Sequence, residues 1–385
     1  MKKQFKKYSL LIIITLLFIN SSLSQTDTLF WFAVPYGTDL HDDWEANLVL
    51  TATDMDDLTN IIITQPYNPA MDTIFVTIDP LTPPATADIY FNATELAKIM
   101  NNTYIQNATN PNPRISNCAI KIQADREITA YYEYQRTMMN NDIFSLKGTN
   151  AMGQDFWIPF QNVWNNHSYN GDPAFSQIIV AATKPNTEIT VTFPRTSYNI
   201  PAGNYTFTLA QPGMTMMFVP QRNPGDSDEP YRTGAYKLNG THITSNEPIV
   251  VTINDDSAEK DGWDFVGDQI VPLINIHGKK TVGLEYLVIK GEIDNADGSN
   301  EKVFVLTTQP NTTVQYKRKG DAGLINLGVV PIVAAGTQRV IDLIENVDPL
   351  LSNDCVYIIA NKPIYVFHVS GFEGEMGGAL VPTID

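Results

Sequence analysis

The sequence predicts an all-β protein built from three internal repeats of antiparallel β-meanders. Polar and apolar residues alternate strictly in stretches such as Thr187–Phe193 and 205–209, and this period of two is typical of half-buried strands. Helical periodicity is nearly absent from the chain. Segments of three kinds also recur at a spacing of about 120 residues, which indicates repeated structural units.

The first recurring segment combines two β runs with a Pro-Asn turn. VAATKPNTEITV at 180–191 returns as VLTTQPNTTVQY at 305–316 and, more weakly, as LTATD at 50–54. Proline presets φ and asparagine tolerates turn conformations, and the β-branched residues behind them are typical of a returning strand. This segment therefore predicts a hairpin in each repeat.

The other two recurring segments are equally regular. HITSNEPIVV at 242–251 returns as YIIANKPIYV at 357–366 and as IKIQADREITA at 120–130. DFWIP at 155–159 echoes LFWFAVP at 29–35, so the tryptophans of both are expected to lie in the core. The repeats predict three units, at about 29–148, 149–283 and 284–385.

The first two segments also resemble each other, because each places an asparagine or aspartate at a presumptive turn between β runs. Two such hairpins in each of three units make six, which fits a six-bladed β-propeller whose radial packing protects the sheet edges. Without that half-repeat, three tandem β-sandwiches explain the threefold pattern equally well.

One short helix is expected within this β pattern. In residues 92–100, Asn92 is a suitable N-cap, and Leu96, Ile99 and Met100 fall on one face.

The N-terminal residues predict export. Four lysines precede an apolar run at 10–19, which is too short to span a bilayer. Ser22 and Ser24 have the spacing of a signal-peptidase site, with cleavage before Gln25. Residues 1–24 are thus predicted to be a signal peptide. No transmembrane segment is expected in the mature chain, 25–385, which is predicted to be secreted or held at the cell surface.

The charge of the chain limits its partners. Acidic residues outnumber basic ones by 42 to 25, which gives a formal net charge of −17. Such a field repels phosphate backbones and anionic lipid, so nucleic acid and bare membrane are excluded as expected partners. Cations, basic surfaces and neutral sugars remain compatible with it.

A resemblance to a known family becomes specific in the second repeat. Gly-Thr-x-Ile at 240–243, Ser-x-x-Pro-Ile-x-Val at 245–251, Gln-x-x-Pro at 269–272 and the following strand 286–288 resemble the pattern of the IgGFc-binding protein N-terminal domain family. The resemblance implies an extracellular β-rich module of a kind common in exported proteins of Bacteroidetes-like bacteria, and the cleavage region and the Asn-, Thr- and Ile-rich composition also indicate a bacterial protein. The resemblance supplies no Fc-binding motif that maps onto particular residues here.

Catalytic motifs are missing from the sequence, so no enzyme is predicted. The five histidines are scattered without a zinc-type pair, and neither a Gly-x-Ser-x-Gly elbow nor a phosphate-binding glycine loop occurs.

One acidic stretch, residues 254–268, is the candidate metal site. Several carboxylates within one loop can supply the oxygen ligands that calcium prefers, although the spacing is not that of an EF-hand. The alternative is a solvated acidic loop without metal. The candidate ligands are Asp255, Asp256, Asp261, Asp264 and Asp268.

Three tryptophans are candidate ligand contacts. Trp44, Trp164 and Trp263 fall in polar segments predicted to be loops, where an exposed indole can stack on a sugar ring or anchor a protein partner. The alternative is that they fold back to cover a sheet edge.

The two cysteines head equivalent segments in the first and last repeats. In a closed ring of repeats, Cys118 and Cys355 would be neighbours and a disulfide would lock the closure. The alternative is a pair of buried free thiols.

These observations predict an exported binding or adhesion module that recognises a glycan or glycoprotein. The rival interpretation is a structural subunit of a larger exported surface assembly.

Overall fold

The computed structural model describes most of the chain after the predicted signal peptide. Residues 1–24 lie outside the described part, and the signal-peptide prediction with them. The described residues are 25–37, 45–68, 71–100, 111, 113–135, 142–169, 172–198, 200–220, 234–260, 262–293, 301–320, 323–332, 334–343, 355–373 and 375–385.

The described residues of the first unit form eight strands and one helix. The helix confirms the prediction: the Asn92 side chain caps it, Glu95 completes a capping box, and Leu96 and Ile99 are buried. The elements are β1 Asp27–Phe32, β2 Glu45–Ala52, β3 Thr59–Thr64, β4 Ile74–Ile78, β5 Thr86–Phe91, α1 Ala93–Ile99, β6 Arg114–Ser116, β7 Ile120–Gln135 and β8 Asp142–Ser145.

The second unit is built around the longest strand of the described chain. Two short 3₁₀ helices, Gly148–Ala151 and Gly234–Tyr236, accompany its strands. The strands are β9 Gly153–Trp157, β10 Ser168–Tyr169, β11 Asp172–Pro173, β12 Ser176–Ala182, β13 Thr187–Phe193, β14 Gly203–Leu209, β15 Thr215–Phe218, β16 His242–Glu259 and β17 Trp263–Ile270.

The third unit forms a two-layer sandwich. One layer has the order β18-β24-β21-β22, and the other contains β19, β25, β20, β23 and β26. The strands are β18 Glu285–Ile289, β19 Glu292–Ile293, β20 Lys302–Thr307, β21 Thr312–Gly320, β22 Gly323–Ile332, β23 Gln338–Asp342, β24 Cys355–Ala360, β25 Ile364–Glu373 and β26 Glu375–Leu380.

The same strand pairing occurs three times. In the first unit, one half of β7 lies between β1 and β3, and the other half lies between β2 and β8. In the second unit, β16 lies first between β9 and β13 and then between β12 and β17. In the third, β24 pairs with β18 and β21, and β25 pairs with β20 and β26. The prediction of an antiparallel all-β fold with three repeats is confirmed.

One hydrogen bond explains why the second recurring segment always carries asparagine or aspartate. Asp125 Oδ1 accepts from the backbone N–H of Asn60 at 2.8 Å. Asn246 Oδ1 accepts from Glu188 N at 2.7 Å, and Asn361 Oδ1 accepts from Thr313 N at 2.7 Å. Each side chain thus satisfies a backbone N–H of the neighbouring hairpin, within the long strand in the first two units and between β24 and β25 in the third.

This geometry corrects the prediction of six hairpins. The second recurring segment was expected to turn back on itself, but β7 and β16 continue through it as single strands. In the first and second units one long strand joins both halves, so these halves share backbone pairing instead of forming separate blades; in the third unit the equivalent segment is divided into β24 and β25, which lie in different layers. The described strands therefore differ from a six-bladed propeller, and the third unit has the sandwich arrangement that was the alternative. The boundaries of the three units stay a prediction.

The units are joined through apolar cores. On β20, Val303 and Val305 face the core of the third unit, while Phe304 and Leu306 face the core of the second. The aromatic ring of Phe265 on β17 lies in the core of the first unit. Strands buried on both faces carry apolar residues at consecutive positions, which explains the fully buried β12 and β20.

The equivalent strands β8, β17 and β26 meet one another at what we call the central junction. Side chains replace a backbone ladder there: Asp142 Oδ2 accepts from Gly267 N at 2.9 Å, and Asp268 Oδ2 accepts from Leu380 N at 2.7 Å. A Cβ on Gly378 would lie 2.9 Å from Gly267 N, so this close approach requires glycine.

Candidate functional site

A cleft of about 1080 Å³ opens beside the central junction. It lies between the β7–β8 hairpin of the first unit and the β25–β26 hairpin of the third, which are equivalent strand pairs. Three carboxylates line it, from Glu133, Asp142 and Glu375, and no lysine or arginine is among its described lining residues. The cleft is therefore acidic.

Both walls of the cleft pair an acidic side chain with an apolar one. Glu133 lies directly opposite Ile143 across β7 and β8, and Phe372 lies directly opposite Glu375 across β25 and β26. Residues at opposed positions of antiparallel strands project from the same face. Ile143 and Phe372 are 58% and 59% exposed, so the cleft is open and both apolar side chains are accessible to a partner. None of these four residues was predicted from the sequence to belong to a binding site.

A histidine and a buried glutamate form one side of the cleft. The His368 Nε2 atom lies 2.6 Å from Glu301 Oε1, and His368 lines the cleft while Glu301 is almost fully buried. Glu301 Oε1 also accepts from Gly291 N at 2.9 Å and from the Ser370 hydroxyl at 3.2 Å. These contacts fix the imidazole in place as part of the wall.

Burial and mutual repulsion raise the pKa values of the junction carboxyls. The pKa of Asp264 rises to about 8 because the side chain is desolvated and lies close to Glu375. Burial also raises the pKa of Asp142 well above its usual value and raises that of Asp268, although Lys147 Nζ lies 2.5 Å from the Asp268 carboxylate. With a pKa of about 8, Asp264 is therefore largely protonated at pH 7.

Asp264→Asn is expected to reduce the pH dependence of stability. The pKa of Asp264 is raised above the ordinary 3.8 in the folded state, so its contribution is fully present below about pH 4 and is lost as pH rises through about pH 8. Glu375 and Lys260 are the charged groups that face it. Urea unfolding at intervals of one pH unit should give a slope that is shallower by about 1.4 kcal/mol per unit between pH 5 and 8.

The control for this experiment is Asp56→Asn, at an exposed position far along the chain from the junction. Its profile should remain parallel to that of the parent protein. A parallel profile for Asp264→Asn as well would contradict the raised pKa.

The acidic stretch 254–268 is not a loop, which corrects the sequence prediction. Its described residues continue β16 and form β17, and Asp255, Asp256, Asp264 and Asp268 are all buried. Asp261 lies outside the described residues. In the part of the chain that the structure describes, no three His, Cys, Asp or Glu side chains are grouped so that they could hold a metal ion. Calcium binding stays a prediction without geometric support.

A buried lysine forms an ion pair with Asp255, which explains how this carboxylate can be buried. Lys237 Nζ lies 2.7 Å from Asp255 Oδ1, and both side chains are fully buried. Asn166 Nδ2 and the Ser176 hydroxyl donate to the same carboxylate at 2.6 and 2.9 Å, and Gln161 donates to its other oxygen. Asp255 is therefore a structural ion-pair residue. No motif in the sequence pairs Lys237 with Asp255, which follows it by 18 residues.

The three candidate tryptophans have different surroundings. Trp164 was predicted to be an exposed loop residue, but it is 5% exposed and packs edge to face against Phe304 of the third unit, with ring centroids 6.3 Å apart. Trp263 is half-buried and stacks on His167 with ring centroids 3.8 Å apart. Trp44 lies outside the described residues. Of the expected core pair, Trp31 is buried and Trp157 is half-buried against His242.

Both cysteines are free thiols, so the predicted disulfide is not formed. Cys118 is buried at the seam with the second unit, where its Sγ atom lies 3.0 Å from Thr215 Oγ1. Cys355 begins β24 and pairs with Ile289 inside the third unit. Burial raises the pKa of the Cys118 thiol to about 11, which leaves it protonated and unreactive at neutral pH.

A second cleft, of about 930 Å³, lies among all three units. Its rim includes Asp385, whose carboxylate accepts from the backbone N–H groups of Leu284 and Glu285 at 2.9 and 3.1 Å. Because the polypeptide itself supplies these partners, the acidic cleft is the better candidate for an external ligand.

Comparison with known proteins identifies one family. The profile described as IgGFc binding protein matches residues 143–382, which is more than half of the chain. No curated protein sequence matches the chain significantly. No described helix has the length and apolar character needed to cross a bilayer.

Proposed function

The chain belongs to the IgGFc binding protein family, and from this premise we propose that it is an exported adhesion module that binds an extracellular glycoprotein without turning it over. The family description supports a binding role, and the sequence of residues 1–24 supports export. The single observation that carries the proposal is the acidic cleft, whose two walls present the exposed side chains of Ile143 and Phe372.

The cleft suits recognition better than a flat surface would. Ligand sites are concave, mostly apolar and furnished with a few polar groups that fix orientation. Here the apolar groups stand on regular strands that are held by three packed units, so little conformational entropy is lost when a partner binds. A glycan of the glycoprotein could stack on Phe372 while the carboxylates accept from its hydroxyl groups.

Phe372→Ala is the direct test of the cleft. Residues 25–385 would be probed on an array of glycans and glycoproteins, including immunoglobulin and mucin, in calcium and again in chelator. We expect the variant to bind its best glycoprotein at least about 5-fold more weakly, because truncating a buried aromatic anchor usually costs more than 1 kcal/mol.

Phe75→Ala is the matched control, because Phe75 is an exposed strand phenylalanine of the first unit, 75% exposed, and does not line the cleft. Binding that is lost in Phe75→Ala and kept in Phe372→Ala would rule out the cleft as the site. Loss of binding in chelator would reopen the calcium prediction.

The second candidate function is a structural subunit of a larger surface assembly. It is favoured by the β3–β4 hairpin, where Ile62 lies directly opposite Phe75 and both are exposed. The sheet order places β4 at an edge, and exposed apolar edges can pair with another chain. A discrete oligomer by light scattering, dispersed by Ile62→Ser with Phe75→Ser, together with silence on the array, would favour this function.

A further inference from the structure

The second unit shows what fits between an acidic and an apolar side chain at its own hairpin. At the end of β16 and the start of β17, Glu259 lies directly opposite Trp263. The imidazole of His167 fills the space beside this pair, because it stacks on Trp263 with an interplanar angle of 20° and its Nδ1 atom lies 3.3 Å from Glu259 Oε1. A planar basic side chain is thus held by an aromatic face and a carboxylate together.

The equivalent hairpins of the first and third units carry pairs of the same composition. Glu133 with Ile143 and Glu375 with Phe372 form the opposed walls of the acidic cleft. No lysine or arginine is among the described residues that line this space. Glu375 and Phe372 of the third unit therefore repeat the arrangement of a carboxylate opposite an aromatic ring that holds His167 in the second unit.

The chemistry of these walls selects long basic side chains. Lysine and arginine lay their aliphatic stems along apolar surface and present the charged head to a carboxylate, and a cation over an aromatic face gains further attraction. A neutral sugar could use the aromatic ring but would gain no charge attraction from Glu375. The net charge of −17 also favours the approach of a basic segment.

We infer that the acidic cleft binds lysine or arginine side chains of a basic segment in a partner polypeptide, with Phe372 and Glu375 as the principal contacts. The inference rests on the proposed function, since it names the part of the glycoprotein that the cleft recognises: its polypeptide instead of its glycan.

A labelled hexalysine peptide is the first probe, with the fully acetylated peptide as its neutral counterpart. Fluorescence anisotropy with residues 25–385 at low salt should detect hexalysine and not the acetylated form. Glu375→Gln and Phe372→Ala should each weaken binding by about 3- to 10-fold, the range of a partly desolvated charge or cation–π contact. Raising the salt to about 0.5 M should weaken it further.

Matched controls separate the cleft from diffuse attraction. Glu188→Gln removes an equal charge from an exposed position on β13, and Phe75→Ala removes an exposed ring outside the cleft. Neither should change the affinity by more than about 1.5-fold. Equal losses in Glu188→Gln and Glu375→Gln, or no binding of hexalysine at all, would overturn the inference.

The glycoprotein found on the array then separates the inference from the proposed function. Suppose that binding of the glycoprotein needs Phe372 and is lost on deglycosylation, but survives acetylation of the partner's lysines and blocking of its arginines. This result would support the proposed function and overturn the inference. If hexalysine binds at the cleft but no glycoprotein on the array is bound, the inference is supported and the proposed function is overturned. Loss on lysine or arginine modification, with deglycosylation tolerated, is the expected result.

Discussion

Lys237→Met is expected to lower the free energy of unfolding by about 3–5 kcal/mol, because it removes the only cation that contacts the buried Asp255 carboxylate in the described part of the chain. Methionine retains the shape of the lysine stem, so the loss reflects charge and hydrogen bonding more than a cavity. Desolvation already raises the pKa of Asp255, and without Lys237 this carboxyl must bind a proton or remain charged and unpaired. Urea unfolding at pH 7 measures the change.

Two further variants make this result specific. Adding Asp255→Asn to Lys237→Met should recover a large part of the loss, since it removes the uncompensated charge. Arg126→Ala breaks the partly exposed ion pairs with Asp54 and Asp57 and should cost below about 1 kcal/mol. Similar losses in Arg126→Ala and Lys237→Met would show that burial does not set the cost.

Phe265→Ala is expected to cost about 3–5 kcal/mol and to loosen the first unit from the second. Phe265 is fully buried on β17, but its ring lies in the core of the first unit. It stacks on Tyr134 with centroids 4.3 Å apart and meets Phe144 edge to face at 5.9 Å. Calorimetry of the variant should show a broader or divided transition, because the aromatic contact that links two cores has been removed.

Phe75→Ala again serves as the control, since the same truncation on an exposed surface should change stability by about 0.5 kcal/mol or less. A single sharp transition in Phe265→Ala, displaced only to lower temperature, would show that the units unfold together through other contacts.

The sequence alone determined the fold class and the number of repeats. Alternation of polar and apolar residues is a local property that survives in any packing of the strands, so Thr187–Phe193 was predicted with its observed bounds. The capped helix α1 was predictable for the same reason, because its capping box involves residues three apart. The family was also predictable from short sequence motifs, because recurring segments lie within residues 143–382, which the family profile matches.

Tertiary contacts determined the features that the sequence did not predict. Asn246 looked like a turn residue, but its side chain bonds Glu188 in another strand, so a bend was mistaken for a hairpin. The aspartates of β16 and β17 are predicted to be solvated because no local pattern places Lys237 beside Asp255 or Lys147, 121 residues away, beside Asp268. Burial of a charge depends on such partners, and a composition count does not contain them.

The acidic cleft shows the same division between sequence and tertiary structure. Each wall is a pair of residues on neighbouring antiparallel strands of one hairpin. Glu133 with Ile143 and Phe372 with Glu375 are both close enough in sequence to be paired by such a hairpin. Only the meeting of β8, β17 and β26 at the central junction brings the first and third units close enough for the two pairs to face one space. Alternation and turn chemistry act over a few residues and can be read from the chain, whereas a site between repeats depends on packing across more than two hundred residues.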